Sequence, residues 1–157
     1  MTTIDPLISL CLIGPRRSFS AGDELVAEYQ FDAVLPEDIQ AVEASVLWYT
    51  EGKSEEDLGV HFFERRLPLD ADEGDLRQLR RFRTRLPNSP LSYAGAIFSI
   101  RWSVRVRLFL RRGRELMYEV PFVLGSVPAI VVEEPPAAAS NPATTSRSLA
   151  PRARAAR

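Results

Sequence analysis

Apolar and polar residues alternate with a period of two along most of the chain, while helical spacing of three to four residues is scarce. The clearest alternation runs through residues 98–111, where one set of positions is apolar and the other carries arginines. Successive side chains of a strand point to opposite faces. The pattern therefore predicts a strand with its apolar face in the core and its arginines in water. The apolar set is Phe98, Ile100, Trp102, Val104, Val106, Leu108 and Leu110; the other is Ser99, Arg101, Ser103, Arg105, Arg107, Phe109 and Arg111.

Shorter stretches repeat this pattern at residues 25–32, 41–50 and 81–86, and an apolar run fills residues 6–13. Turn signals separate them, among them Gly14-Pro15 and residues 20–23. Regularly spaced strands with turns between them and almost no helix indicate an all-β fold. We predict an antiparallel, immunoglobulin-like β-sandwich of about eight strands over residues 1–132, with residues 127–132 as a last short strand.

The composition changes at residue 133. From there to residue 157 the chain is rich in alanine, proline, serine and arginine and has almost no large apolar residue. Such a segment buries too little apolar surface to offset the entropy of folding. We therefore predict a disordered tail over residues 133–157.

Composition narrows the possible functions. The chain has one cysteine, Cys11, so it cannot form an internal disulfide, and it has no cysteine–histidine cluster for a metal. Cys11 lies in an apolar run and is predicted to be a buried, inert thiol. No signal-peptide pattern and no apolar stretch of membrane-spanning length is present. These features predict a cytoplasmic protein with no integral membrane segment.

Charge is divided unevenly along the chain. Up to residue 75 there are 17 acidic and five basic residues, while most arginines follow later. One interpretation is a nucleic-acid-binding face. The other, which we favour, is that acidic strands of the first half pair with basic strands of the second. Glu28, Glu43 and Glu119 occupy outward positions and are the predicted partners of these arginines.

Two segments resemble the arrestin-type β-sandwich, shared by arrestins and bacterial sporulation-control homologues. The first, residues 19–27, has an aromatic residue, a Gly-acid turn and then an alternating strand. The second, residues 86–106, is similar to a family pattern of Leu-Pro, a Pro-Pro-Ser-aromatic-Glu-Gly loop and an apolar-aromatic-x-Val-x-Val strand, with departures at Leu91 and Ala94. The positions that carry the resemblance are Gly22, Asp23, Pro87, Pro90, Ser92, Tyr93, Gly95 and Trp102. We expect Pro90 to set a turn, Ser92 to bond loop backbone, Tyr93 to anchor the loop, and Gly95 to adopt a backbone angle other residues avoid.

The resemblance implies one sandwich domain, where arrestins carry two, and a non-catalytic role in protein–protein interaction. The Pro-Pro-x-Tyr motif that many relatives use to recruit ubiquitin ligases is missing, so the partner is a protein of unknown identity. The resemblance implies no cofactor.

The candidate interaction face consists of arginines, which we expect to form adjoining stripes on one sheet: Arg81, Arg83, Arg85, Arg101, Arg105 and Arg107. Nucleic-acid binding through this face is the first alternative function. Carbohydrate binding through Tyr49, Phe63 and Tyr118 is the second. His61, the only histidine, lacks recognisable catalytic or metal-ligand partners, so we expect no enzyme, no metal site and a structural or solvent-facing imidazole.

Overall fold

Nine β-strands form nearly all of the regular structure in the computed structural model, which describes residues 4–53, 55–70 and 72–125. Two single 3₁₀ turns, Pro36–Asp38 and Arg111–Gly113, are the helical elements of these residues. The strands are β1 (Leu7–Leu12), β2 (Ser18–Phe19), β3 (Glu24–Asp32), β4 (Ile39–Gly52), β5 (Leu58–Arg66), β6 (Arg80–Arg85), β7 (Tyr93–Ala94), β8 (Phe98–Leu110) and β9 (Glu115–Leu124). The predicted all-β class is confirmed.

The strands form two sheets that pack face to face. The small sheet has the order β1-β3-β6, and the large sheet has the order β2-β9-β8-β4-β5, with the short β7 also paired to β8. All pairs are antiparallel except β2 with β9. The edge strands of the described residues are therefore β1 and β6 in the small sheet, and β2 and β5 in the large one.

The core lies between the sheets and follows the predicted alternation. In β3 the residues Leu25, Ala27, Tyr29 and Phe31 are all buried, and the positions between them are not. In β8 the apolar face is buried from Trp102, which is 1% exposed, through Leu110. Burial of these side chains is the dominant favourable contribution to folding.

One burial prediction needs correction. Cys11 is exposed, because β1 turns Ile8, Leu10 and Leu12 inward and the thiol outward. Trp48 packs against the core but is only half-buried. The predicted strand at residues 127–132 and the predicted tail at residues 133–157 both lie outside the described residues. No helix in the described part of the chain is long and apolar enough to cross a membrane.

Residues 19–27, the first segment that resembles the arrestin type, form a turn that is hydrogen-bonded to the second segment, residues 86–106. Gly22 has a φ of 83°, in the left-handed region that favours glycine. Its amide donates to the carbonyl oxygen of Leu86 at 2.9 Å, and the Leu86 amide donates to the carbonyl oxygen of Asp23 at 2.8 Å. The Asp23 carboxylate accepts a bond from the Ser20 amide at 2.9 Å. The two sequence motifs therefore meet at one end of the small sheet, beside Pro87.

The loop from Pro90 to Gly95 fastens β8 and β9 together. The Trp102 indole donates to the carbonyl oxygen of Pro90 at 2.8 Å. The Ser92 hydroxyl accepts from the Leu124 amide at 2.8 Å, so its backbone partner belongs to strand β9 and not, as predicted, to the loop. Tyr93 packs at 5.2 Å from the Phe98 ring centroid. Gly95 is needed for space, not for an unusual angle: a Cβ there would lie 2.4 Å from the Tyr93 ring.

Candidate functional site

The candidate arginines do not form adjoining stripes on one sheet. Arg81, Arg83 and Arg85 lie on β6 of the small sheet, whereas Arg101, Arg105 and Arg107 lie on β8 of the large sheet. The expectation of one continuous face is wrong, because local alternation specifies which side a residue faces but not which sheet its strand joins. The two sets cover opposite outer surfaces of the sandwich.

Most of these arginines are paired with carboxylates, as the division of charge predicts. On the small sheet, Arg81 contacts Glu28, and Arg83 lies 4.0 Å from Glu24. On the large sheet there are four pairs: Arg101–Glu51 at 2.6 Å, Arg105–Glu119, Arg107–Glu115 at 2.6 Å and Arg107–Glu43 at 3.5 Å. The predicted partners Glu28, Glu43 and Glu119 are confirmed. Neutralised guanidinium groups offer little free charge to a phosphate backbone.

The candidate aromatic residues also lie apart. Phe63 is on the outer face of edge strand β5, opposite Ser45. Tyr118 is opposite Val106, so it belongs to the other face of the large sheet. Tyr49 is on the outer face of β4, four positions along from Ser45. Sugar-binding platforms need aromatic rings on one surface, and these three do not share one.

One side of the sandwich is closed by side chains that join the two edge strands β5 and β6. The rings of Phe62 and Phe82 stack at 4.9 Å. Arg80 pairs with Glu64, and the His61 imidazole lies 2.8 Å from the carbonyl oxygen of Arg85 and 3.2 Å from the Thr84 hydroxyl. His61 thus has a bonding role between the sheets. We call this the closed side.

A buried ion pair completes the closed side. Arg66 is 6% exposed and contacts Glu73 at 2.6 Å and the Tyr29 hydroxyl at 3.4 Å. The hydrogen bond from Arg66 holds the pKa of Glu73 below its usual value, while burial raises the pKa of Tyr29. At neutral pH the Glu73 carboxylate is therefore ionised and the Tyr29 hydroxyl is protonated. The cluster stabilises the structure and has no group poised to transfer a proton.

Strand β1 presents a different kind of edge. It pairs only with β3 among the described residues, so the N–H and C=O groups of its other edge have no strand partner. The strand sequence, LISLCL, contains no charge and no proline, and its pairing with β3 has no bulge. Its outward residues include Leu7, which is 58% exposed, and the exposed Cys11.

A groove of about 470 Å³ follows this strand. Leu7, Ser9 and Cys11 line it from β1, with Glu28 of β3 and Tyr118 of β9 also in its wall. Residues of β1, of its partner β3 and of the neighbouring β9 therefore line one groove. We call β1 and this groove the β1 edge. From the sequence, residues 6–13 are only an uncharged apolar run. Their position at a sheet edge depends on the strand order, which local alternation does not specify.

Comparisons with known proteins support the fold. No family model matches the chain, and no curated protein matches it by sequence. Among solved structures, the sporulation control protein Spo0M from Bacillus subtilis is similar, with a TM-score of 0.50 and 11% identity over 76% of this chain. The matched region is 49% of Spo0M, so this chain spans about half the length of that protein.

Two structures of β-glucosidase from Listeria innocua also match, one in complex with gluconolactone and the other a D270A mutant in complex with laminaribiose. Their TM-scores are 0.35 and 0.36, their identities 13% and 14%, and each match covers 76% of this chain and 16% of the enzyme. At these scores they support no conclusion about this chain. The chain has an arrestin-like β-sandwich fold similar to that of Spo0M.

Proposed function

We propose that this domain is a non-catalytic protein-interaction module that binds an extended segment of a partner protein along the β1 edge. The observation that carries the proposal is the six-residue, uncharged strand β1, whose outer backbone has no strand partner among the described residues. An extended segment added to such an edge gains main-chain hydrogen bonds, and alternate side chains give specificity.

The other long edges carry features that oppose strand addition. Four of the six residues of β6 are arginines. Strand β5 has a bulge at His61, because Val46 is opposite Phe62 while the next residue, Leu47, is opposite Val60. Charges and bulges are common means of protecting sheet edges from pairing, and β1 has neither. The β1 edge is therefore the edge best suited to a partner.

Chemistry along the groove indicates what kind of segment fits. Leu7 and Tyr118 supply apolar surface, and Glu28 at the wall is already paired with Arg81. A segment with small or apolar residues at alternate positions would match this surface, whereas an acidic segment would not. Nucleic-acid binding gains no comparable support, since the arginine faces are divided and ion-paired. Cytoplasmic localisation stays a prediction.

Photo-crosslinking tests the proposal directly. Cys11 is the only cysteine, is exposed, and points out of the sheet plane, so a benzophenone maleimide attached there leaves the edge backbone accessible. We expect crosslinks in cell extract to an extended segment of a partner protein. Leu7→Lys should abolish them, because a charge beside the edge opposes pairing.

The matched control is Val60→Lys on β5, where the parent side chain is 53% exposed, close to the 58% of Leu7. This variant should crosslink like the parent. Equal crosslinking by both lysine variants, or a loss in both, would contradict the assignment of the β1 edge as the binding element.

A further inference from the structure

The large sheet splits beside β8, away from the β1 edge. From Trp102 onward β8 pairs with β9, but at Ile100 and Ser99 the same side of β8 pairs with the short β7. Beyond Trp102 the strand β9 instead continues beside β2, where Val123 is opposite Ser18. The divergence of β7 and β9 leaves a slot between them.

The slot has a volume of about 360 Å³ and is lined mainly by carbon. Its accessible apolar side chains are Tyr93, Ala94, Ile100, Pro121 and Val123, whereas the rings of Trp102 and Phe122, which also border it, are almost fully buried. A volume of this size lies at the lower end of the range for small-molecule sites, which combine apolar walls with few polar groups. The slot is thus large enough for a small ligand with an apolar body.

The polar groups at the slot are mostly engaged within the protein. Ser92 exchanges two bonds with Leu124, one through its amide and one through its hydroxyl. The Trp102 indole is bonded to Pro90, and Arg101 is paired with Glu51. Few groups remain to pair with the repeated N–H and C=O groups of a peptide. These contacts favour a ligand with a single polar group.

Arg17 also lines the slot, and the hydrogen-bond donors of its side chain are only partly used. Both of its side-chain hydrogen bonds come from Nη1, which donates to the carbonyl oxygens of Gly14 and Arg16. Among the described residues it has no carboxylate partner, unlike Arg16, which lies 3.6 Å from Asp23. Its backbone is fixed to β9, because the Val123 amide donates to the Arg17 carbonyl oxygen at 2.8 Å. A positioned guanidinium with free donors suits a carboxylate.

We propose that this slot binds a small amphiphilic carboxylate, with its hydrocarbon chain between β7 and β9 and its carboxylate on Arg17. This site is separate from the β1 edge and does not rest on the proposed protein partner. The apolar walls supply affinity in proportion to the buried hydrocarbon area, and Arg17 supplies the preference for an anion.

The test uses the full chain and decanoate as the probe. Trp102 lines the slot, so in a Trp48→Phe background its fluorescence reports occupancy. We expect a saturable change with decanoate and weaker binding of decanol and of decyltrimethylammonium. Arg17→Gln should weaken decanoate binding about tenfold, as expected for one charge-assisted hydrogen bond. Arg16→Gln, the matched control, should bind like the parent.

A second variant tests the position of the hydrocarbon chain. Ser99 lines the slot, and its hydroxyl has no hydrogen bond among the described residues, so Ser99→Phe should fill the slot and abolish saturable binding. Decanoate binding that survives Ser99→Phe would overturn the proposal, as would decanol binding as tightly as decanoate or no saturable binding to the parent. Thermal unfolding of each variant shows whether a loss of binding reflects misfolding. If Ser99→Phe fails to fold, it is replaced by Ala94→Phe on the neighbouring strand β7, where Ala94 is paired with Ser99 and also lines the slot.

Discussion

The two sides of this sandwich differ in how their edge strands are covered: side chains join β5 and β6 on one side, whereas β1 on the other has no strand partner beyond β3 among the described residues. On the closed side, β5 and β6 are joined by the Phe62–Phe82 stack, by Arg80 with Glu64, and by the buried Arg66. On the other side, β9 of the large sheet lies beside β1 without pairing with it, and a groove follows the strand. The closed side thus carries interactions that stabilise the fold, while the outer backbone of β1 has no strand partner among the described residues. The comparison separates residues needed for folding from residues available for binding.

The largest predicted difference comes from truncating one large apolar residue on each side of the sandwich. Phe82 is buried and stacked, so Phe82→Ala should lower the free energy of unfolding by about 3–5 kcal/mol. Leu7→Ala on the β1 edge should change it by less than about 0.5 kcal/mol, because Leu7 is already in water. Urea denaturation of both variants measures the contrast. Similar losses for the two would remove the distinction between the sides.

Removing the anion beside Arg66 should have the next largest effect. Glu73→Gln leaves a buried guanidinium without its charge partner, and we expect a loss of about 2–3 kcal/mol in urea denaturation at pH 7. Glu24→Gln is the control, because that carboxylate is exposed and lies 4.0 Å from Arg83; its loss should be close to zero.

The pair also has a predicted pH dependence. Arg66 lowers the pKa of folded Glu73 below its unfolded value of 4.5, so the stabilisation is complete above that value and declines as pH falls through the folded pKa. The parent should therefore lose stability on acidification more steeply than Glu73→Gln. Parallel pH profiles for the two proteins would show that Glu73 contributes nothing.

A smaller loss of stability is expected from adding a methyl group at Gly59, near the start of β5. A Cβ on Gly59 would lie 2.2 Å from the Trp48 indole nitrogen, so Gly59→Ala should cost about 1–3 kcal/mol through overpacking. Gly74→Ala in the loop between β5 and β6 meets nothing within 4 Å and should be neutral. Thermal unfolding of the two alanine variants gives the answer, and an unperturbed Gly59→Ala would mean that Trp48 can move aside freely.

The smallest effect concerns one titrating group in that loop. The Arg77 guanidinium lowers the pKa of Asp75 to about 2 through side-chain and backbone hydrogen bonds. In Arg77→Gln the pKa of Asp75 should return towards its ordinary value of 3.8. NMR titration of the carboxyl carbon checks this, and an unchanged pKa would show that the backbone bond alone is sufficient.

Much of the fold was predictable from local alternation, since burial on one face imposes a period of two on the sequence. The faces of β3 and β8 and the pairing of Glu28, Glu43 and Glu119 with arginines all follow from it. Strand order did not follow, because the alternation of β6 and β8 is the same whichever sheet they join. For this reason the sequence predicts the arginines on one surface and does not reveal the β1 edge. The burial prediction for Cys11 is wrong for a related reason: in a run without polar residues, the sequence does not show which side chains face water.

The most direct test of the central claim is a footprint of a bound segment. Peptides selected from a random display library on the full chain would be examined by amide hydrogen exchange with the parent and with Leu7→Lys and Val60→Lys. The account predicts that bound peptide protects amides of residues 7–12, and that Leu7→Lys loses both binding and protection while Val60→Lys keeps them. Protection confined to β5 or β6, with residues 7–12 exchanging as in the free protein, would contradict it.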